Sequence, residues 1–285
     1  MDDNCSSIFS QAVAFNSAPC PPQNLSAEVS CLSKDMTISW DAVREADYFL
    51  VSVTVDDEGI SKTLGTTNTA ASISSVTCGR TFSVQATSVI GSCSSQHSHT
   101  VSALSAPCQP QGISGRIDCV TNSAWISWNA SAGADSYMVL AVGGDNLTAN
   151  CSTSTNTTCE VEDLACGTLY NFTVTAYNRQ CASQPSATIQ LQTAPCTLAG
   201  ITAVAQCHNS SILVMWDLMD GDESNTVYRV TAEARDQTYL SCNSTGTSCY
   251  LYGAQCDFRY SIIVAASSDQ CSSMRSPPVR ISMGK

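Results

Sequence analysis

The sequence predicts an all-β protein of three tandem β-sandwiches. A repeat of about 88 residues runs along the chain, short apolar/polar alternations fill each repeat, and helical spacing of apolar residues occurs nowhere. The chain has 285 residues, which suits two or three domains better than one. Its hydrophobic content of 43% is sufficient for packed cores, so we expect folded domains rather than a disordered chain.

The repeat is defined by tryptophan, proline and cysteine at fixed positions. The tripeptide Ala-Pro-Cys recurs in steps of 88 residues, at 18–20, 106–108 and 194–196. Tryptophan recurs with the same step, at Trp40, Trp128 and Trp216. We therefore divide the chain into an extra strand-like segment of an incomplete repeat (1–17), repeat 1 (18–105), repeat 2 (106–193) and repeat 3 (194–285).

Each repeat contains three strong strand patterns in the same order. The first ends on the repeated tryptophan, at 37–40, 124–128 and 213–216. The second is a longer alternation, at 48–55, 137–142 and 228–234. The third is at 82–87, 170–177 and 260–266. Weaker runs bring the total to about seven strands per repeat, as in a β-sandwich, and we predict that the tryptophans are core residues.

These features resemble fibronectin type III domains. The resemblance rests on the proline-rich start at 19–22, the tryptophan of the second strand, and a Leu-x5-Tyr corner, which Leu164 and Tyr170 match. Repeat 1 has Phe82 at the tyrosine position, so the corner hydrogen bond cannot form there. The sequence is similar to the cysteine-containing members of this family. That resemblance implies an extracellular tandem array without a defined activity.

Seventeen cysteines indicate disulfides formed outside the cell. The chain has no Cys-x2-Cys pair and only three histidines, so we expect no bound metal. His97 and His99 are interpreted as a solvated pair, and the acidic residues of 217–223 as a polar turn. No nucleophile elbow, zinc-protease motif or phosphate-binding loop occurs, so we expect no catalytic residue and no cofactor.

One type of cysteine pair follows from comparison of the repeats. Repeat 1 lacks two cysteines that repeats 2 and 3 have, and it carries Thr63 and Ala71 at those positions. A joint loss indicates a bonded pair. The predicted pairs are Cys151–Cys159 and Cys242–Cys249. Four cysteines then remain in each repeat, and spacing alone leaves three possible connectivities.

The resemblance implies a choice among these connectivities. In the type III fold the start of strand A lies near the F–G loop at one end, and the A–B and E–F loops share the other end. Since bonded cysteines need Cα atoms within about 7 Å, this implies pairs inside each repeat. The expected pairs are Cys20–Cys93, Cys31–Cys78, Cys108–Cys181, Cys119–Cys166, Cys196–Cys271 and Cys207–Cys256.

Cys5 is left over, and we expect it to be unpaired or intermolecular. It lies 15 residues before Cys20, as Cys93 lies before Cys108, so residues 1–17 resemble the F–G cysteine and last strand of a missing repeat. Two interpretations stay open. The chain is an excerpt of a longer array, or this strand is donated to a neighbouring molecule, which builds a head-to-tail filament. The first residues lack the apolar stretch of a signal peptide.

Nine Asn-x-Ser/Thr sequons predict covalent N-linked glycans. They are at Asn4, Asn24, Asn129, Asn146, Asn150, Asn156, Asn171, Asn209 and Asn243. The net charge of −12 excludes a nucleic-acid-binding surface, because only 12 Lys and Arg are spread along the chain. The apolar stretches are shorter than a membrane span, so we expect no membrane insertion by these residues.

These observations predict a secreted, extracellular, non-enzymatic structural or adhesive glycoprotein. The joins between repeats contain no flexible Gly/Ser linker, which indicates a stiff rod of modules. Its expected partners are itself, head to tail, or other extracellular proteins. The alternative is a ligand-binding ectodomain fragment of a longer secreted or cell-surface receptor.

Overall fold

The all-β prediction is confirmed. The structure, a computed structural model, describes residue 11 and residues 17–217, 226–268 and 271–284. Its strands form six sheets in which every paired neighbour is antiparallel. Two compact units are present, Met1–Ala106 and Pro107–Lys285, and the second contains two sandwiches. The predicted extra strand at 1–17 lies outside the described residues, apart from Gln11 and Ser17.

The first unit is one sandwich of two sheets, with strands lettered A, B, C, C′, E, F and G in chain order. One sheet has the order A-B-E and contains β1 (Ser26–Val29), β2 (Met36–Ser39) and β5 (Ala70–Ile73). The other has the order C′-C-F and contains β4 (Ser61–Thr66), β3 (Tyr48–Val55) and β6 (Thr81–Ile90). Strand G is in two pieces that both pair with F, β7 (Cys93–Ser94) and β8 (Val101–Leu104).

Repeat 2 is the first sandwich of the second unit and has the same arrangement. Its A-B-E sheet contains β9 (Ser114–Asp118), β10 (Ser123–Ser127) and β13 (Thr158–Val161). Its C′-C-F-G sheet contains β12 (Thr148–Thr153), β11 (Ser136–Val142), β14 (Leu169–Tyr177) and β15 (Ile189–Gln192). A single 3₁₀ turn, Gly144–Asn146, connects C to C′.

Repeat 3 completes the second unit. Its A-B-E sheet contains β16 (Thr202–Gln206), β17 (Ser211–Met215) and β20 (Ser248–Tyr252). Its C′-C-F-G sheet contains β19 (Tyr239–Ser244), β18 (Val227–Ala234), β21 (Arg259–Ser267) and β22 (Val279–Ser282). A 3₁₀ turn at Cys207–Asn209 links A to B. The acidic residues from 218 to 223 lie outside the described residues.

Each sandwich has its own core, formed by the inward-facing residues of both sheets. Strand β14 alternates buried residues with exposed or partly buried ones along its length, as a strand with one buried face must. The repeated tryptophans are 5%, 4% and 3% exposed, which confirms them as core residues. Each one packs on an aromatic ring of strand C, with ring centroids 5.3–5.4 Å apart.

Candidate functional site: a disulfide-bonded joint between repeats 2 and 3

Two disulfides join repeat 2 to repeat 3 within the second unit. Cys119, after strand A, bonds to Cys271 of the F–G loop of repeat 3, with Cα atoms 5.4 Å apart. Cys166, in the E–F loop, bonds to Cys196 at the start of repeat 3, with Cα atoms 4.9 Å apart. We call the A–B and E–F loops of a repeat its C-terminal pole, and its first residues together with its F–G loop its N-terminal pole.

The predicted pairs Cys119–Cys166 and Cys196–Cys271 are therefore wrong. Both predictions assumed that a sandwich bonds only to itself. Repeat 3 follows strand G of repeat 2 without a linker, so the N-terminal pole of one repeat meets the C-terminal pole of the other. The cysteines across the joint come within the Cα separation that a disulfide needs, which is why they bond there.

The join between the two repeats, residues 193–196, is buried and hydrogen-bonded. Thr193, with no exposed surface, accepts a hydrogen bond from the Thr168 N–H at 2.8 Å and donates one to the Ala165 carbonyl at 2.8 Å. The next residue, Ala194, is 3% exposed, and its N–H donates to the side-chain oxygen of Asn122 at 2.8 Å. Strand G of repeat 2 is thus fixed to both loops of its own C-terminal pole before the chain enters repeat 3.

The A–B loop that presents Cys119 is held in shape by its own hydrogen bonds. The Asp118 carboxylate accepts hydrogen bonds from the N–H groups of Val120 and Thr121, at 2.9 and 3.3 Å. These backbone hydrogen bonds favour the charged form and lower the pKa of Asp118 below its ordinary value. Asn122 closes the loop with φ of 57°, in the left-handed region that asparagine tolerates better than most residues.

The remaining cysteines fall into three groups. Cys151–Cys159 and Cys242–Cys249 are bonded as predicted, and each links strand C′ of one sheet to strand E of the other. The predicted pairs Cys20–Cys93 and Cys207–Cys256 are wrong, because all four of these cysteines are free thiols. Cys31, Cys78, Cys108 and Cys181 are also disulfide-bonded, and the pairs expected for them stay predictions. Cys5 lies outside the described residues.

The two pairs of free thiols lie at the two kinds of position that are bonded to each other between repeats 2 and 3. Like Cys119 and Cys166 of repeat 2, Cys207 and Cys256 are at the C-terminal pole of their repeat, where the observed bonds run to another repeat. Cys20 and Cys93 are at the N-terminal pole of repeat 1, in the positions that Cys196 and Cys271 occupy in repeat 3.

The predicted tyrosine corner is present. The Tyr170 hydroxyl accepts a hydrogen bond from the Ala165 N–H at 3.1 Å. Repeat 3 has the same contact, from the Gln255 N–H to the Tyr260 hydroxyl at 2.9 Å. Phe82 lies at the equivalent position of repeat 1 without a hydroxyl. In repeat 2 the corner fixes the E–F loop that also carries a cysteine of the joint.

A pair of serines in each repeat was missed by the sequence analysis. In repeat 2, the Oγ atoms of Ser183 and Ser186 accept hydrogen bonds from the N–H groups of Ala176 and Val174 on strand F, both at 2.9 Å. The backbone N–H groups of the same serines donate back to strand F at 2.8 Å. Each serine thus exchanges two hydrogen bonds with strand F where the G segment is not a regular strand.

The sequence signal for these serines is Cys-x-Ser-x-x-Ser. The paired serines are Ser95 with Ser98, Ser183 with Ser186, and Ser273 with Ser276. A spacing of three matches the polyproline II period rather than the strand period of two, so a search for alternation overlooks it. Residues 5–10 carry the same pattern, Cys-Ser-Ser-Ile-Phe-Ser.

All described sequon asparagines are exposed. They are Asn24, Asn129, Asn146, Asn150, Asn156, Asn171, Asn209 and Asn243. Asn171 points outward from strand F and accepts a hydrogen bond from the Gln190 side chain at 2.9 Å. Asn4 lies outside the described residues. Attachment of glycans at these positions stays a prediction.

The two histidines of the G segment of repeat 1 are exposed. The His97 Nδ1 lies 3.0 Å from the Thr87 hydroxyl. In the part of the chain that the structure describes, no group of three or more His, Cys, Asp or Glu side chains is arranged to hold a metal ion. Nor do the described residues form a helix with the length and apolar character required to cross a bilayer.

The outer face of the C′-C-F-G sheet of repeat 3 carries a cluster of exposed arginines, which we call the arginine face. Its members are Arg229, Arg235, Arg259, Arg275 and Arg280. Glu233 lies among them, and no ion pair connects these five to another described residue. Five of the chain's 12 basic residues are therefore on one face of a protein with a net charge of −12.

Comparison with known proteins defines the class of this protein. Residues 108–192 match the family model of the fibronectin type III domain. Repeat 2 is therefore a fibronectin type III domain, repeats 1 and 3 have the same sheet order, and the predicted resemblance is confirmed.

More particularly, the chain is homologous over most of its length to fibronectin type III domain-containing protein 7. It is 29% identical to the Homo sapiens protein over 268 residues, which are 94% of this chain and 35% of the relative. It is 30% identical to the Mus musculus protein over 269 residues, which are 89% of this chain and 33% of the relative. The chain thus spans about a third of the length of these relatives.

Two solved structures of tandem type III domains are also similar. The FN1–FN3 domains of chicken CNTN1 match 94% of this chain and 100% of theirs, with 16% identity and a TM-score of 0.36. A two-domain segment of chicken tenascin matches 61% of this chain and 99% of its own, with 20% identity and a TM-score of 0.38.

Proposed function

We propose that the chain is a non-enzymatic extracellular structural or adhesive glycoprotein in which successive modules form a stiff rod. The observation that carries this proposal is the joint between repeats 2 and 3. A flexible linker would leave its residues exposed and free to rotate, whereas this join is buried, hydrogen-bonded to both neighbouring loops and flanked by two disulfides.

The two disulfides also stabilise the folded pair of modules and hold them together at two points. In the chain-entropy model, a disulfide that closes a loop of 30 residues, as Cys166–Cys196 does, contributes about 3–4 kcal/mol. Two such bonds between the same two modules also remove rotation about a single bridge. Disulfides in this number persist in an oxidising compartment, which supports an extracellular location.

The test is a distance distribution between repeats 2 and 3. One spin label on an exposed position of each repeat is measured by pulsed electron paramagnetic resonance in the full chain. We expect a narrow distribution for the native protein, and a broad one for the variant Cys119→Ser/Cys166→Ser/Cys196→Ser/Cys271→Ser. The variant Cys151→Ser/Cys159→Ser is the control, because it removes a disulfide inside one sandwich. A distribution that is equally broad in all three proteins contradicts the stiff rod.

Glycosylation is tested on natively purified protein. The exposed sequon asparagines support N-linked glycans, and removal of the glycans with an amidase converts each modified Asn to Asp. Peptide mass mapping after that treatment is expected to find the conversion in several of the predicted sequons. Unmodified asparagine at every sequon contradicts the glycoprotein part of the proposal.

Head-to-tail polymerisation through residues 1–17 also belongs to this proposal. Its support is the Cys-x-Ser-x-x-Ser pattern at residues 5–10, which matches the segment that pairs with strand F in every repeat. Negative-stain microscopy of unreduced native material is expected to show filaments, and deletion of residues 1–17 is expected to abolish them. Isolated short rods in the undeleted protein contradict this part.

The arginine face favours a second candidate function, that of a ligand-binding ectodomain. Unpaired exposed guanidinium groups recognise sulfate and carboxylate groups bidentately, so the fitting ligand is anionic. We expect the chain to bind immobilised heparin in a salt-dependent manner, and Arg229→Ser/Arg275→Ser to weaken binding. Arg44→Ser/Lys62→Ser, which removes two positive charges at exposed positions of unit 1, is the matched control. Equal retention of both variants contradicts this candidate.

A further inference from the structure

The C-terminal pole of repeat 3 carries two free thiols at the positions that form the joint in repeat 2. Cys207 directly follows β16 as Cys119 directly follows β9, and Cys256 lies three residues before β21 as Cys166 lies three residues before β14. Cys256 is exposed and Cys207 partly exposed. The same two loops therefore present the same two nucleophiles.

The backbone of this pole also has the geometry of its bonded counterpart. In the A–B loop, Ser210 has φ of 51° where Asn122 has 57°, and in the E–F loop Asp257 has φ of 65° where Gly167 has 62°. In both repeats a backbone N–H just after the last strand donates to the carbonyl of the residue before strand F. The loops of repeat 3 are thus already in the conformation that holds two disulfides in repeat 2.

Repeat 1 carries free thiols at the opposite pole, where repeat 3 is bonded to repeat 2. Considered by itself, unit 1 has free thiols at Cys20 and Cys93. Cys20 precedes the first strand, β1, and Cys93 begins β7 just after strand F, so both lie at the N-terminal pole. In repeat 3 these two positions are Cys196 and Cys271, both bonded to the preceding repeat.

We propose that Cys207 and Cys256 are a covalent docking site for the N-terminal pole of another type III module of this cysteine-containing kind. Cys256 bonds to the cysteine that precedes the first strand of that module, and Cys207 bonds to its cysteine just after strand F. A second copy of this chain presents these groups as Cys20 and Cys93, and a further module of a longer polypeptide presents the same chemistry. The inference deepens the proposed function and rests on it for the oxidising compartment.

Each bond forms by two exchange steps with a small disulfide such as oxidised glutathione. The thiolate of Cys256 attacks the disulfide, forms a mixed disulfide and releases one glutathione thiolate. The thiolate of the partner cysteine then attacks the Cys256 sulfur and releases the second. The two cysteines lose two protons and two electrons in total, and one oxidised glutathione becomes two reduced molecules. The two bonds of a joint consume two oxidised glutathione molecules.

The first experiment uses two complementary variants of the full chain, both with Cys5→Ser. One variant is Cys20→Ser/Cys93→Ser, which leaves only the C-terminal pole reactive, and the other is Cys207→Ser/Cys256→Ser, which leaves only the N-terminal pole reactive. Each is incubated in a glutathione redox buffer, alone and mixed in equal amounts. We expect at least tenfold more covalent dimer in the mixture than in either variant alone.

The cross-linked peptides decide between the proposal and random oxidation. Mass spectrometry of the dimer is expected to find Cys256 linked to Cys20 and Cys207 linked to Cys93. A yield in the mixture equal to that of the separate variants overturns the proposal, as does an internal Cys207–Cys256 bond in the first variant.

The second experiment maps the disulfides of natively purified protein. Links from Cys207 and Cys256 to Cys20 and Cys93 identify a second copy as the partner, and links to peptides outside these 285 residues identify a longer polypeptide; both support the proposal. Free or glutathione-capped Cys207 and Cys256 beside an intact Cys119–Cys271 bond overturn it and leave the proposed function standing. Reduced cysteines at the joint of repeats 2 and 3 contradict the proposed function itself.

Discussion

Tyr170 connects the core of repeat 2 to the joint. Its ring is buried in the sandwich, and its hydroxyl holds the backbone of Ala165, whose carbonyl accepts a hydrogen bond from Thr193. A single residue thus links the packing of one module to the loop that carries Cys166. The contact was predictable because the Leu-x5-Tyr pattern is local, and its absence from repeat 1 was evident from Phe82.

Replacing this tyrosine tests the contact. Tyr170→Phe keeps the ring and leaves the Ala165 N–H without its acceptor, so we expect a loss of about 1 kcal/mol in the free energy of unfolding. Chemical denaturation of the oxidised chain measures it. Tyr250→Phe, which alters an exposed ring in repeat 3, is the control and is expected to have no effect. An equal effect of the two substitutions contradicts the role of the corner hydroxyl.

The stability of the A–B loop at the joint depends on pH through Asp118. Its pKa is lowered by hydrogen bonds from Val120 and Thr121, so its contribution to stability is fully present above the ordinary value of 3.8 and is lost as pH falls through the lowered pKa. In an NMR titration, the amide signals of both residues are expected to shift with a midpoint below 3.8. Asp118→Ala is expected to remove that titration, and a midpoint above 3.8 contradicts the argument.

At the scale of elements, the strong strands were predicted and the first half of strand G was not. The 48–55 alternation corresponds to the observed strand β3, because alternation reports burial of one face. The G segment follows a different rule: Ser183 and Ser186 contribute side-chain acceptors where a regular strand would offer backbone carbonyls. This segment has no alternating pattern, so a search for strands does not select it; its signal in the sequence is the Cys-x-Ser-x-x-Ser spacing.

Removal of one of these serine hydroxyls tests its hydrogen bond with strand F. Ser186→Ala leaves the buried Val174 N–H without its acceptor, at an expected cost of about 1–3 kcal/mol in the free energy of unfolding. Hydrogen exchange is expected to be faster at the Val174 amide than in the native protein. Ser154→Ala, in an exposed loop, is the matched control. Unchanged protection at Val174 contradicts the assigned hydrogen bond.

For the whole molecule, the sequence was sufficient for the number of modules and not for the connectivity of their cysteines. The 88-residue step identifies which cysteines are equivalent in the three repeats. It does not tell whether a cysteine bonds inside its own repeat or to another repeat. The pairs Cys151–Cys159 and Cys242–Cys249 were predictable because repeat 1 lacks both partners together. The joint could not be predicted in this way, because the contact between the C-terminal pole of repeat 2 and the N-terminal pole of repeat 3 arises only in the folded unit.

The joint predicts how repeats 2 and 3 unfold. With both bonds intact and the join buried, we expect repeats 2 and 3 to unfold in one cooperative calorimetric transition. The variant Cys119→Ser/Cys271→Ser/Cys166→Ser/Cys196→Ser is expected to split it into two transitions of lower midpoint. Cys242→Ser/Cys249→Ser is the control that lowers the midpoint without splitting. A single transition in the joint variant contradicts the coupling.

The Cys119–Cys271 bond has a consequence for mechanical force. It spans 152 residues, so tension applied between the two ends of the second unit passes through the sulfur bridge and bypasses most of repeats 2 and 3. At roughly 3.5 Å per residue, about 500 Å of chain is excluded from stretching. In the unreduced unit only the residues outside the bridge can extend under load, and reduction of this one bond would expose the chain between residues 119 and 271 to tension.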